Sequence, residues 1–487
     1  MPDVVVVGGG VGGMAAALRL RVAGFDVLLL ERALRLGGKL DERVLPGGYR
    51  VDTGPSLLTL PGELDALFRL AGSSLAEAVD LVRLDPICSY RWPEGSRFEH
   101  RADRAAAVAE VERFSPGSGA AFERFLDRAR TAWEVADRTF LAGPMGPPLE
   151  LLRRLRSPRD LLAVDPLPTL AARARRTFDD DPRLVQWACR YATYSGSAAS
   201  APATLACIAH VEQAFGAWYV RGGLAALAPA LAQALEAVGV EVRTGSDVVA
   251  VHTNGDRATG VRVAGGGRID AGAVVANVDA DHLYADLLPD GRALRRARRA
   301  APSSSGFALL LGIEGTSGLG HHTVLFSAPE GYEAELAATT VPRRPTVYVA
   351  NASATDPTIA PPGHESLFAL VTVPAGAHAD WDAYRDHVLD VLAGRGVDLA
   401  GRVRAVEVVT PDEIAERYRA RGGAIYGTSS SGRRAAFLRP ANRGPRRGLY
   451  LVGGSSHPGG GLPLVARSGA IVARMVESDL RGRSVGS

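Results

Sequence analysis

Three features of the sequence predict an α/β fold with a Rossmann-type nucleotide-binding domain. A β-branched run at 4–7 leads through a glycine turn into an alanine- and leucine-rich stretch, and a second apolar run follows at 27–30. Short apolar strands return after residue 222, and the far end of the chain repeats the order strand, glycine turn, helix. The intervening segments read as a mixed-sheet substrate domain and a mostly helical, membrane-facing insertion.

In the opening unit, Val4–Val7 suits a buried parallel strand and 14–22 reads as the helix packed on it. The turn between them must be glycine. Gly8 allows the tight bend, Gly10 lets backbone approach a pyrophosphate, Gly12 lies in the same cradle, and Gly13 lets helix and strand pack closely. Unpaired N–H groups at the helix start would meet the phosphate charge. Glu31 ends the strand 27–30, where a carboxylate can accept hydrogen bonds from both hydroxyls of an adenosine ribose. That acid argues against a 2′-phosphate. In a chain with 56 glycines the spacing alone is weak evidence, but here strand, turn, helix, strand and acid fall in order.

Leu36-Gly37-Gly38-Lys39 comes soon after the acid, and Val51-Asp52-Thr53-Gly54-Pro55-Ser56 follows. A second glycine pair with a cation suits the pyrophosphate of a long flavin dinucleotide better than NAD, so FAD is the expected cofactor. Lys39 is the chain's only lysine, and its plainer reading is a surface cation at a turn. Asp52 either binds a flavin-side hydroxyl or caps the following turn.

At 487 residues the chain is too long for one core and is expected to form two or three domains. A formal charge of +3, with arginines scattered among acids, argues against a nucleic-acid partner. Cys88, Cys189 and Cys207 lie far apart and make no metal-ligand cluster, so no metal is expected. Gly8 to Gly13 would break an export signal, and no stretch reaches the ~20 apolar residues needed to span a bilayer. The expectation is a cytoplasmic protein, and any membrane contact must be peripheral.

Residues 1–75, 221–300 and 445–487 are assigned to a discontinuous FAD-binding domain, 76–220 to the helical, membrane-facing insertion, and 301–444 to the substrate-binding sheet. Helical spacing is seen at 102–114, 120–140 and 149–163. The arginines of the insertion fit either solvated helix faces or attraction to anionic lipid. A helix over 222–238 and strands at 239–243, 248–252, 258–263, 268–270 and 273–277 rebuild an α/β pattern. Val248 either lies against an adenine, as is common in flavin domains, or packs in the core. Strands at 307–313, 323–326, 346–350 and 366–373 would form the second sheet, with a helix over 381–393 covering it. The strand at 449–452 and the helix at 464–477 close the chain.

These residues resemble the phytoene-desaturase-type carotenoid desaturases, within the amine-oxidase-like flavoproteins. The likeness runs through the motifs above, then Trp218 to Gly223, His321 to Val324, Phe437 to Arg443, and Gly453-Gly454-Ser455-Ser456-His457-Pro458-Gly459-Gly460-Gly461-Leu462-Pro463. The last motif is the most specific, and it looks closer to hydroxycarotenoid 3,4-desaturases than to phytoene desaturases. The resemblance implies non-covalent FAD, a C30 to C50 polyene substrate and peripheral membrane attachment. The expected reaction is desaturation of an acyclic 1-hydroxycarotenoid at C3–C4, with oxygen or a quinone as electron acceptor. Multistep phytoene-type desaturation is the alternative.

Hydride transfer to a flavin with proton loss from the neighbouring carbon needs positioning and water exclusion, and the sequence nominates no catalytic base. Gly454, Ser455, Gly460, Gly461, Leu462 and Pro463 are the candidate flavin-ring neighbours, because glycines admit close backbone approach. His457 either steers a proton near the flavin or holds its own turn. From their place in family-like segments, Tyr191, Tyr194, Ile425, Tyr426, Phe437 and Leu438 are candidates for the polyene tunnel. Two other classes remain open: an amine oxidase or flavin isomerase, and a non-catalytic flavin- or lipid-binding protein. The last cysteine is Cys207, which excludes a cysteinyl flavin near the C-terminal glycines.

Overall fold

The computed structural model describes residues 1–146, 153–165, 167–179, 181–193, 196–429, 431–432 and 438–482. Val4–Val7 sits at the centre of a five-stranded parallel sheet. On one side it pairs with Ala273–Ala276 and then Leu449–Leu451, and on the other with Val27–Leu30 and then Glu241–Arg243. All four residues of the central strand are buried, which is why the run is uniformly β-branched rather than alternating. The helix Val11–Val22 covers this sheet and packs against the last helix, Leu462–Leu480, through Ala15, Ala16 and Gly469. The two ends of the chain therefore meet in one layer.

A seven-stranded mixed sheet forms the second body. Its order is Val403–Val409, Ser305–Glu314, His364–Val373, Val347–Asn351, His322–Leu325, Cys88–Arg91, Arg97–His100. Only the pairing of His322–Leu325 with Cys88–Arg91 is parallel. The helix Trp381–Gly394 covers one face, where Tyr384, Val388 and Leu392 join Phe307, Leu309 and Leu311 in a shared core.

The segment 76–220 departs from the helical expectation at its start. Leu81–Arg83 pairs with Trp218–Val220, and the next two strands complete the seven-stranded sheet. The helices that follow, Arg104–Phe114, Gly119–Thr139, Leu170–Phe178, Pro182–Cys189 and Cys207–Phe215, do not form a separate unit. Trp187 is fully buried among Phe98, Phe122, Phe125, Phe178 and Tyr191, and this cluster is continuous with the core under Val4–Val7. Aromatic area on the helices needed a second surface, and the sheet strand Arg97–His100 supplied it. Among the described residues no helix is long and apolar enough to cross a membrane.

Candidate active site

The glycine turn after Val4–Val7 sits where the two ends of the chain touch. A Cβ on Gly13 would lie 2.1 Å from the Gly8 carbonyl oxygen, so helix and strand can approach this closely only through glycine. A Cβ on Gly12 would lie 2.9 Å from Gly453 Cα, which brings the N-terminal cradle against the C-terminal glycine turn. The helix Val11–Val22 begins at Gly10 with no side-chain cap, leaving first-turn amides free for a ligand. The carboxylate of Glu31 is buried and fixed: Gly9 N–H donates to Oε2 and Ala33 N–H to Oε1, both at 2.7 Å.

One continuous cavity of about 1500 Å3 opens from this cradle. Of the sequence-derived candidates it is lined by Gly8, Gly10, Gly12, Glu31, Gly37, Gly38 and Lys39, and by Gly54, Pro55 and Val248. The closing turn contributes Gly454, Ser455, Gly460, Gly461, Leu462 and Pro463, and the tunnel candidates Tyr191, Ile425 and Tyr426 also face it. An uncapped helix start, a glycine cradle and a buried acid on the second strand together fit the pyrophosphate and ribose of a dinucleotide. The remaining wall comes from both bodies of the fold: Gly306, Ala308 and Phe368 from the sheet, and Trp133, Leu161 and Ile208 from the helical segment.

Several candidates are placed elsewhere. Gly13 is spent on helix packing and does not line the cavity. The Asp52 carboxylate turns away from the cavity and accepts from Leu224 N–H at 2.8 Å and Ala225 N–H at 3.1 Å, so it clasps the strand Tyr49–Asp52 to the turn at 223–225. Burial pushes it up to about 6, even though the two amides pull the other way. His457 is also outside the cavity lining. Its Nε2 lies 3.0 Å from the Gly143 carbonyl, and burial lowers its pKa to about 4, so at neutral pH the ring is uncharged and donates that bond. It joins the glycine turn to the helical segment. Leu438 is half-buried and does not line the cavity, while Tyr194 and Phe437 lie outside the described residues.

Lys39 does more than hold a turn. Its side chain is half-buried, and the ammonium donates to the carbonyls of Ile425 at 2.6 Å and Ala424 at 3.1 Å. His321 and His322 are both buried, bonded through Nδ1 to Thr355 Oγ1 and to the Tyr348 hydroxyl, each at 2.6 Å. Among the described residues no group of three or more His, Cys, Asp or Glu is placed to hold a metal.

Polar groups that sequence reasoning passed over also line the cavity. Arg439 donates to the carbonyls of Gly454 (2.9 Å), Thr428 (2.9 Å) and Tyr426 (3.2 Å), tying the closing turn to 426–428. Arg190 and Glu212, also passed over, form a buried cluster with the tunnel candidate Tyr191. Their spacing in sequence carries no signal, because Glu212 comes from the helix Cys207–Phe215, 22 positions from Arg190 in the turn Arg190–Ala192 that also bears Tyr191.

The family model described as flavin containing amine oxidoreductase matches residues 11–476. The chain belongs to this family. It is an FAD-dependent oxidoreductase on the amine-oxidase scaffold, and its relatives include carotenoid desaturases. It is 34% identical over 504 residues to hydroxyneurosporene desaturase of Rubrivivax gelatinosus, spanning 99% of this chain and 94% of that one. It is 32% identical over 491 residues to 4,4′-diapolycopene oxygenase of Methylomonas sp, spanning 98% of each. A 1-hydroxycarotenoid 3,4-desaturase of Flavobacterium sp. (strain P99-3) is 32% identical, with 98% of this chain and 99% of that one aligned. In three dimensions the chain matches cyclohexylamine oxidase from Brevibacterium oxydans IH-35A at a TM-score of 0.63 and 14% identity, covering 99% of each chain. An oxidoreductase from Methanosarcina mazei matches at 0.63 and 18%, covering 96% and 99%. These structures establish the fold.

Proposed function

We propose that this oxidoreductase desaturates an acyclic carotenoid, taking a 1-hydroxylated substrate at C3–C4. The observation that carries the reading is the cavity: about 1500 Å3 that takes in the dinucleotide cradle and continues beyond it between apolar side chains of both bodies, such as Trp133, Ile208 and Phe368. The apolar lining of the part beyond the cradle suits a long polyene better than a small amine. Whole-length likeness to hydroxyneurosporene and 1-hydroxycarotenoid desaturases supports the choice of substrate.

Bound FAD supplies a two-electron acceptor for the hydride that leaves the CH2–CH2 unit, the neighbouring carbon losing a proton. The chain's own contribution is holding and exclusion. The free amides at Gly10 to Gly12 and the carboxylate of Glu31 would hold the dinucleotide. Gly454 to Pro463 bring backbone to the cavity wall, and Tyr426 and Ile425 face the same space. The sheet and helix walls keep water from the reacting carbons.

Peripheral membrane attachment belongs to the same proposal. Leu161, Leu162 and Leu167 stand exposed within seven residues, Leu162 at 75% and Leu167 at 73%, while Leu161 also lines the cavity. Clustered exposed leucines beside an apolar cavity suit a lipid surface from which a polyene enters. Electrons would then pass to oxygen or a membrane quinone.

FAD-loaded protein mixed with liposomes and either a 1-hydroxylated C40 carotene or phytoene tests the reading. A red shift of the polyene bands with the hydroxylated substrate is the expected result. A shift with phytoene alone moves the assignment to multistep carotene desaturation, and no shift with either overturns it.

A further inference from the structure

The cavity wall contains an ion pair withdrawn from water. Arg190 Nη2 donates to Glu212 Oε2 at 2.6 Å, and the two side chains are only 8% and 5% exposed, the lowest combination among the described ion pairs. The Tyr191 hydroxyl donates to the same carboxylate oxygen at 3.0 Å. All three residues line the cavity. Arg190 comes from the turn Arg190–Ala192 and Glu212 from the helix Cys207–Phe215, and the guanidinium lies over the rings of Tyr191 (4.1 Å) and Tyr90 (5.1 Å). The arrangement is therefore held from several sides. The other carboxylate oxygen, Oε1, receives no protein donor among the described residues.

A buried ion pair is a poor device for stability alone, since apolar residues of equal volume serve as well or better. A carboxylate oxygen left without a donor in an apolar cavity is costlier still. A ligand that brings its own donor removes that cost. The pair is neutral overall, so an ammonium would meet Arg190 as well as Glu212, whereas a neutral hydroxyl meets no such repulsion. A carbonyl or an ether brings no donor.

We infer that Arg190, Tyr191 and Glu212 form the recognition site for a hydroxyl group on an otherwise apolar substrate. The hydroxyl donates to Glu212 Oε1, while Arg190 and Tyr191 hold the carboxylate through Oε2. This rests on the reading of the cavity as a polyene site and adds the residues that select the substrate's oxygenated group. A site built to pair with a hydroxyl discriminates strongly against an analogue that lacks it, because the analogue leaves a buried polar atom unpaired.

The test uses the FAD-loaded protein and three ligands of equal length: a polyene tertiary alcohol, its O-methyl ether and the hydrocarbon. Trp187 has its ring 5.8 Å from that of Tyr191, so quenching of tryptophan fluorescence by the bound polyene reports affinity without turnover. The wild-type protein is expected to bind the alcohol at least tenfold more tightly than the ether or the hydrocarbon. In Glu212→Gln, Arg190 keeps the side-chain carbonyl and the amide NH2 faces the cavity, so the preference falls to threefold or less. Equal binding of alcohol and ether by the wild type, or an undiminished preference in E212Q, overturns the inference. If E212Q does not retain FAD, the alcohol-to-ether comparison in the wild type decides alone. If no carotenoid is desaturated yet the preference exists and is lost in E212Q, the enzymatic reading fails and this site stands.

Discussion

The ammonium of Lys39 donates to the carbonyl of Ile425 at 2.6 Å, across 386 positions of sequence. This bond joins the second glycine step of the nucleotide-binding body to the segment bearing Tyr426. Burial lowers Lys39 to about 8, with Asp279 opposing. The unfolded chain, with lysine at its ordinary 10.5, then holds more protons than the folded one between about 8 and 10.5, so this group's contribution to stability rises with pH across that window. Lys39→Met leaves two buried carbonyls without their donor and should cost about 1–3 kcal/mol. Denaturant unfolding of both proteins from pH 8 to 10.5 checks it: the wild-type advantage should widen as pH rises, and a constant gap would refute the burial of Lys39.

Asp52 predicts the opposite dependence. Its carboxyl is raised to about 6, so between about 4 and 6 the folded protein binds more protons than the unfolded chain. Stability from this group therefore grows as pH falls through 6 toward 4. Relative to Asp52→Asn, the wild type should gain in melting temperature between pH 7 and pH 5. Asp52→Ala removes the acceptor for Leu224 and Ala225 and should cost about 1–3 kcal/mol at either pH, with FAD still bound.

The two inner glycines of the cradle should separate packing from ligand approach. Gly13→Ala drives a Cβ to within 2.1 Å of a backbone oxygen that cannot yield, so little folded protein is expected. Gly12→Ala meets Asn277 Oδ1 and the backbone Cα of Gly453 at 2.9 Å, less severe than the Gly13 contact but requiring the closing turn to move, and Gly12 lines the cavity. This variant should fold and bind FAD at least tenfold more weakly, as read by flavin absorbance after gel filtration. Full FAD retention by G12A would remove Gly12 from the cofactor site.

Exposed leucines make the membrane proposal measurable. The double variant Leu162→Asp, Leu167→Asp places two charges where apolar area faces outward. Co-sedimentation with liposomes should fall at least fivefold, with melting temperature unchanged within a few degrees. Undiminished sedimentation would place the membrane contact on another surface.

Elements defined by local chemistry were legible. Val4–Val7, Val27–Leu30 and Arg268–Asp270 have the predicted bounds, because uniform burial or a tight hairpin writes itself into consecutive residues. The strands Cys88–Arg91 and Arg97–His100 were not legible. Their sequences, Cys-Ser-Tyr-Arg and Arg-Phe-Glu-His, carry polar residues that only a partner strand and buried contacts satisfy, such as His100 with Gln213 at 2.8 Å.

The sequence by itself determined the opening strand, glycine turn, helix and acid, because all four lie within 31 residues and their geometry is set by local backbone chemistry. It also determined the family through the closing Gly453 to Pro463 motif. Only the tertiary structure decided that Asp52 and His457 face away from the cavity, that Lys39 bonds Ile425, and that Arg190 meets Glu212 in its wall. Direction is a property of packing. A side chain's type limits what it can bond, but the neighbour that fills that bond comes from wherever the fold brings the rest of the chain.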